Sequence, residues 1–240
     1  MNPKPEEFYR KSIAMLSDLH FAPTESARDN LLNEGCSISK IFVTGNTIVD
    51  AVEFFKESVL KDYRPGSDQL RSYISASDGG ACQNKIVLVT IHRREAWGRP
   101  MLEIANSIKE LALKFKATRF IWPLHPNPAV KNVIEKKCGG IENILLIDPL
   151  IYQDLLFIIS KAALVITDSG GIQEEAPSFG VPVLIARDTT ERIETIHMGV
   201  ASLVGHDGRV IFAEASKLLE SDKISRSVQS SLNPFGDGRA

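Results

Sequence analysis

Lys85-Ile86-Val87-Leu88-Val89-Thr90 runs directly into Ile91-His92-Arg93-Arg94-Glu95, and this pair of segments decides the reading of the chain. The first is an apolar, β-branched run without polar alternation, the pattern of a strand buried on both faces. After the basic turn, the apolar spacing over about 100–115 predicts an amphipathic helix. The unit then recurs. Strand 119–123 precedes a helix near 127–137, and strand 143–147 a helix near 152–161. Strand 163–167 precedes a helix starting after Ser169, and strand 181–185 a helix near 189–198. Strands buried on both faces need helices as covers, and right-handed crossovers between them give a parallel sheet. Residues 85–225 are therefore expected to form an α/β, Rossmann-like parallel sheet domain, with ligands at the carboxyl ends of its strands.

Upstream, residues 6–19 have helical spacing, and His20-Phe21-Ala22-Pro23 is a short extended segment. Thr24 caps a second helix that Gly35 ends, Lys40 to Thr44 is a strand, and Gly45-Asn46 is a turn. Thr47 to Leu60 reads as a further helix. Residues 62–84, with Pro65, Gly66, Gly79 and Gly80 among many Ser and Asp, read as a linker or surface insertion carrying a short helix around 68–74. The tail from Asn233 to Ala240 is glycine-rich and reads either as a terminal coil or as a loop leading toward another helix.

Composition narrows the classes. The 240 residues hold 28 basic and 30 acidic side chains, a net charge of −2, and 43% hydrophobic residues, which excludes a disordered or collagen-like chain. Near-neutral charge removes any global case for nucleic acid, though not for a local basic site. Cys36, Cys82 and Cys138 are sparse, odd in number and form no CxxC pair, so neither a disulfide framework nor a thiolate metal cluster is expected. His20, His92, His125, His197 and His206 lack metal-ligand spacing. Met1 to Glu7 is polar where a signal peptide would be apolar, and the apolar run Leu155–Ile159 is far short of a membrane span. The expectation is a soluble cytoplasmic protein without metal, membrane or nucleic-acid partner.

Four expected strand ends carry chemistry. Thr167-Asp168-Ser169-Gly170-Gly171-Ile172-Gln173-Glu174-Glu175 follows a buried strand. Glycines and free amides at a helix start suit a phosphate, Ser169 adds a hydroxyl, and Glu174 or Glu175 could accept from sugar hydroxyls. The same pattern also serves a plain tight turn, with Asp168 or Ser169 as cap and acidic residues in the first helical turn. The segment alone leaves both open. It is neither a GxGxxG fingerprint nor a phosphate loop, and it lacks the GxSxG elbow of a serine hydrolase. His92 with Arg93 and Arg94 could contact phosphate or shuttle a proton; equally, they form a solvated turn in which Glu95 pairs an arginine. Leu124-His125-Pro126-Asn127-Pro128 places His125 at the same edge, as ligand or as loop histidine. Arg187-Asp188-Thr189-Thr190-Glu191-Arg192 adds charge there, or simply a helix cap from Thr189 or Thr190. Recurrence at one sheet edge favours a site.

With these segments in hand, the chain resembles the non-hydrolysing UDP-N-acetylglucosamine 2-epimerase family over nearly its whole length. Pro5-Glu6-Glu7, Phe21-Ala22-Pro23-Thr24, Val43-Thr44-Gly45-Asn46-Thr47 and His92-Arg93-Arg94-Glu95 are its first markers. Thr167 to Pro177, Arg187 to Arg192 and Asn233-Pro234-Phe235-Gly236-Asp237-Gly238 complete them, in that order. The resemblance implies two Rossmann-like domains in the glycosyltransferase-B arrangement, with the active site between them. It implies interconversion of UDP-GlcNAc and UDP-ManNAc with no cofactor and no metal, through a bound 2-acetamidoglucal, and a homodimer. By position it makes Glu6 a catalytic carboxylate and gives His92 a binding or acid role at the diphosphate. Ser169, Gly170, Gly171 and Arg192 fall at UDP-binding positions, and Glu175 at the ribose contact. Arg93 and His125 fall at a neighbouring regulatory UDP-GlcNAc site. One position departs from the family: Tyr9 stands where an asparagine is usual, which bears on the hydrogen bonding around Glu6.

Family members are longer. The expected division is 1–46 as the end of an amino-terminal Rossmann-like domain, 47–84 as connecting helix and linker, 85–225 as the UDP-binding domain and 226–240 as a truncated tail. The first domain is then incomplete, and a separate amino-terminal polypeptide is an expected partner. A non-catalytic UDP-sugar-binding protein and a glycosyltransferase of the same architecture are the alternative readings.

Overall fold

The computed structural model describes residues 5–75, 85–221 and 233–240, and the backbone alone at Glu6. The expectations for 76–84 and 222–232, Cys82, Gly79 and Gly80 among them, lie outside the described residues. Backbone contacts divide the chain into two compact units, one reaching to Ala51 and including Phe235–Ala240, the other Val52–Pro234.

In the first unit, α1 (Glu6–Leu16) leads to β1 (His20–Ala22), α2 (Glu25–Asn33) and β2 (Ile41–Val43). Thr24 caps α2 as expected, its side chain accepting from the Ala27 N–H at 3.1 Å. β1 and β2 pair in parallel, in register Phe21↔Phe42, and the two rings lie 6.0 Å apart. Both remain exposed, Phe21 at 65% and Phe42 at 47%. α1 ends at Leu16, three residues before the expected boundary. Tyr9 points outward, edge-on to Phe8, while Arg10 clamps Glu7 at 2.7 Å and Glu34 at 2.5 Å. Gly45 (φ +91°) and Gly236 (φ +129°) let two backbones touch, so that the Asn46 N–H donates to the Phe235 carbonyl at 2.7 Å. The tail is thus docked through Phe235.

α3 (Thr47–Ser58) begins in this unit and ends in the next, which continues with α4 (Asp68–Ser75), β3 (Ile86–Thr90) and α5 (Arg99–Lys114). Then come β4 (Arg119–Pro123), α6 (Pro128–Cys138), β5 (Ile144–Ile147), α7 (Tyr152–Lys161) and β6 (Ala162–Thr167). α8 (Gly170–Glu175), β7 (Val183–Ile185), α9 (Ile193–His197), β8 (Ala201–Leu203) and α10 (Gly208–Glu220) complete it. The sheet is entirely parallel, in the order β5-β4-β3-β6-β7-β8.

Every residue of β3 is buried, and alternate residues serve opposite faces. Val87 and Val89 join Phe120, Trp122 and the inner faces of α5, α6 and α10. Ile86 and Leu88 join Ile121 and Val165 beneath α3, α4 and α7. Apolar strands without polar alternation are the direct consequence of this two-sided cover. The described part of the expected linker packs down on the domain: Leu70 is fully buried, and the Tyr63 hydroxyl and the Gly66 N–H both donate to Asp154, at 2.8 and 3.0 Å. Among the described residues no helix is long and apolar enough to cross a membrane.

Candidate functional site

The strand order reverses direction between β3 and β6: β4 and β5 follow on one side, β7 and β8 on the other. Crevices for ligands open at such a reversal, beyond the carboxyl ends of the two strands. Here those ends are locked together. The Thr90 and Thr167 hydroxyls lie 2.6 Å apart, Thr167 Oγ1 also accepts the Ser169 N–H at 2.9 Å, and the Asp168 N–H donates to the Thr90 carbonyl. Asp168 is fully buried, and its Oδ2 accepts the backbone N–H groups of His92 at 2.9 Å and Arg93 at 2.7 Å. The carboxylate therefore ties the loop after β3 to the end of β6 and does not cap α8. Nor does Ser169, whose side chain makes no cap hydrogen bond.

A cavity of about 340 Å³ opens over this junction, lined by His92, His125, Ser169, Gly171 and Glu175. That volume lies in the range of small-molecule sites. Leu124, Leu150 and Ile172 give it an apolar wall. The His92 and His125 rings stack, 6.3 Å apart and 14° from parallel. His125 Nδ1 accepts the Asn127 N–H at 3.1 Å, so the proton of the neutral ring sits on Nε2. Glu175 is 5% exposed; burial pushes its carboxyl up to about 7, against the pull of the Tyr152 hydroxyl. Burial pushes the Tyr152 phenol up as well.

Beside the cavity, Arg192 lies flat against the start of α8. A Cβ on Gly170 would stand 2.9 Å from the guanidinium carbon, so glycine is what permits this approach. Nε of Arg192 donates to Glu174 at 2.8 Å and Nη1 to Glu191 at 3.3 Å. The loop is further held by Gln173, whose amide donates to the Ser169 carbonyl and accepts from Thr190 at 2.7 Å. Arg187, 3% exposed, bridges Glu95 at 2.7 Å and Glu191 at 3.0 Å. Against the upward push of burial, Arg187 holds the Glu191 carboxyl down at about 2.

The sequence-expected residues thus fall into three places. His92, His125, Ser169, Gly171 and Glu175 share one cavity, and Gly170 and Arg192 are in contact beside it. The Arg93 N–H belongs to the junction, whereas Glu6 opens α1 in the other unit. One local expectation is given its partner and another is corrected. Glu95 does pair an arginine, but the partner is Arg187 and not a residue of its own turn, because the loop after β7 reaches it across the sheet edge. The helix expected over 189–198 is only Ile193–His197, with Arg192 at its N-cap, because Thr190 is spent on Gln173. Asp168 and Tyr152 are the residues that sequence reasoning undervalued. Asp168 was visible as an acid at a buried strand end, but not which donors it meets.

Gly170→Ala separates the site from the fold. The clashing atoms are the far end of a flexible side chain, so stability should change by less than about 1 kcal/mol. If the start of α8 receives an anion, displacing the guanidinium should weaken its binding at least about tenfold, one charge-assisted hydrogen bond's worth. Calorimetric titration beside a urea melt checks both halves.

The UDP-N-acetylglucosamine 2-epimerase family profile matches residues 1–240, the whole chain. The chain belongs to the UDP-N-acetylglucosamine 2-epimerase family. The Escherichia coli K12 UDP-N-acetylglucosamine 2-epimerase is 40% identical over all of this chain and 62% of its own length. The Neisseria meningitidis UDP-GlcNAc 2-epimerase, solved bound to UDP-GlcNAc, is 38% identical, with a TM-score of 0.86 over 98% of this chain and 62% of its own. The Staphylococcus aureus MnaA–UDP structure is 37% identical, with a TM-score of 0.88 over 98% and 61%. This epimerase-family chain therefore spans about three fifths of the length of the relatives it matches.

Proposed function

We propose that the crevice between β3 and β6 binds the UDP moiety of UDP-GlcNAc and UDP-ManNAc, and that the protein interconverts the two sugars without hydrolysis. The observation that carries this reading is the convergence of His92, Ser169, Gly171 and Glu175 on one cavity at the sheet's reversal point. Ser169, Gly170, Gly171 and Arg192 hold the diphosphate, Glu175 accepts from the ribose hydroxyls, and His92 contacts the diphosphate beside the leaving oxygen. Arg93 and His125 serve a second, regulatory UDP-GlcNAc.

The reaction removes the proton at sugar C2 and breaks the C1–O bond to UDP, leaving a glycal. A proton then returns to C2 from the opposite face, and UDP re-adds at C1. Groups are needed on both faces of C2, held within a fraction of an ångström. Glu6 is one such carboxylate. The others belong to an amino-terminal Rossmann-like domain, of which 1–46 form the end, in a two-domain glycosyltransferase-B arrangement with 85–225 as the UDP-binding half. The bare β1–β2 pair supports this: parallel sheets are normally covered on both faces, yet Phe21 and Phe42 stand exposed. A polypeptide supplying further parallel strands, in the same chain or as a separate partner, fits that surface.

Exchange of the C2 proton with deuterated solvent, followed by mass spectrometry of UDP-GlcNAc, tests the catalytic half. The 240 residues alone should show no exchange, and an added amino-terminal domain should restore it. Rapid turnover by the 240 residues alone would contradict the requirement for groups from the other domain.

A further inference from the structure

We propose that Asp168 is the positioning residue of His92: its buried carboxylate holds the Nδ1–H of the imidazole and so leaves Nε2 as the ring nitrogen available to the cavity. Asp168 is fully buried, and its two oxygens are used unequally. Oδ2 is filled by the His92 and Arg93 amides. Oδ1 has no hydrogen-bond donor among the described residues and lies 3.4 Å from His92 Nδ1. A buried carboxylate oxygen without a donor is costly, and a small turn of the adjacent imidazole would aim an Nδ1–H at it.

The geometry makes this a built arrangement. The two amides fix the carboxylate relative to the backbone of His92 itself, so the ring turns over an acceptor that cannot move away. The stacked His125 ring covers one face and limits that rotation. In neutral imidazole one nitrogen donates and the other accepts, and the hydrogen bond made by one sets the role of the other. Asp168 is all acceptor, so it selects Nδ1–H. Burial pushes the Asp168 carboxyl up, and the His92 ring and the two amides oppose that push. For the reaction, the consequence rests on the nucleotide reading above: Nε2, and not Nδ1, is the atom that meets the diphosphate.

Long-range ¹H–¹⁵N spectra of the 240-residue chain with labelled histidine, recorded over a rising pH series to the plateau where the ring signals no longer move, test the assignment. Signals lost in His92→Gln identify the ring. The wild-type chain should show Nδ1 protonated and Nε2 unprotonated. Asp168→Asn places an amide N–H within reach of Nδ1, so the two nitrogens should exchange their chemical-shift positions. A wild-type ring protonated at Nε2 would overturn the proposal, as would an unchanged ring in a folded Asp168→Asn chain. If that variant does not fold, the wild-type spectrum alone decides. The measurement needs no ligand: failure of UDP to bind would remove the nucleotide reading and leave the tautomer standing, and the reverse holds equally.

Discussion

A chain carrying Ser169→Ala together with Glu175→Ala should bind UDP at least about a hundredfold more weakly than the wild type. In the proposed site each substitution would remove one hydrogen bond with a charged partner, diphosphate for Ser169 and the carboxylate itself for Glu175, about 1.5–3 kcal/mol apiece, and every 1.4 kcal/mol is a factor of ten. Ser169 and Glu175 both line the cavity, one at the β6 end and the other a turn and a half along α8. The fold should survive, because Ser169 is half-buried and caps nothing. Calorimetric titration of both chains measures the ratio. A ratio near one, with both chains folded, would move the nucleotide elsewhere.

Glu175→Gln should stabilise the protein, by an amount that grows with pH. The wild-type carboxyl is shifted from its ordinary 4.5 up to about 7 in the folded state, by burial first. The folded protein thus holds a proton that the unfolded chain gives up between those values. Its contribution is present below 4.5, declines as pH rises through the interval, and is gone above 7. A rise from 4.5 to about 7 corresponds to about 3 kcal/mol. Glutamine stays neutral throughout. Urea midpoints should therefore differ little at pH 4.5, and the variant should lead by about 3 kcal/mol at pH 8. Comparing the two chains cancels groups common to both, Asp168 included. A difference independent of pH would show that Glu175 is not held as a costly buried acid. Such a residue, destabilising at neutral pH and facing a cavity, is what a binding site retains and a core does not.

These predictions depend on parts of the molecule that were unequally legible in the sequence. β3, β4, β5 and β6 announced themselves because strands covered on both faces carry unbroken apolar runs, and Ile86–Thr90 or Ile144–Ile147 admit no other reading so close to turn residues. β8 is three residues at the sheet edge, with Ser202 and Leu203 outward, and is too short to carry a pattern. α10 is the opposite case: Ile211, Ala215 and Leu219 are buried at helical spacing, a signal the sequence does contain.

At the site, the motifs located four strand ends correctly, because chemistry-bearing residues at one sheet edge need only the topology to meet. Partners were another matter. That Glu95 meets Arg187, or that Thr190 bonds Gln173 and so delays α9 to Ile193, depends on how loops cross between strands, which spacing does not encode. Asp168 shows the same limit, since its role follows from the parallel pairing of β3 with β6 that brings His92 beside it.

Titration of the folded 240-residue chain with UDP is the most direct test of the account, because the cavity, its donors and Glu175 all lie within one unit. UDP should bind saturably, UDP-GlcNAc should compete with it for the same site, and Ser169→Ala with Glu175→Ala should abolish or severely weaken that binding. A folded chain that binds neither UDP nor UDP-GlcNAc would contradict it.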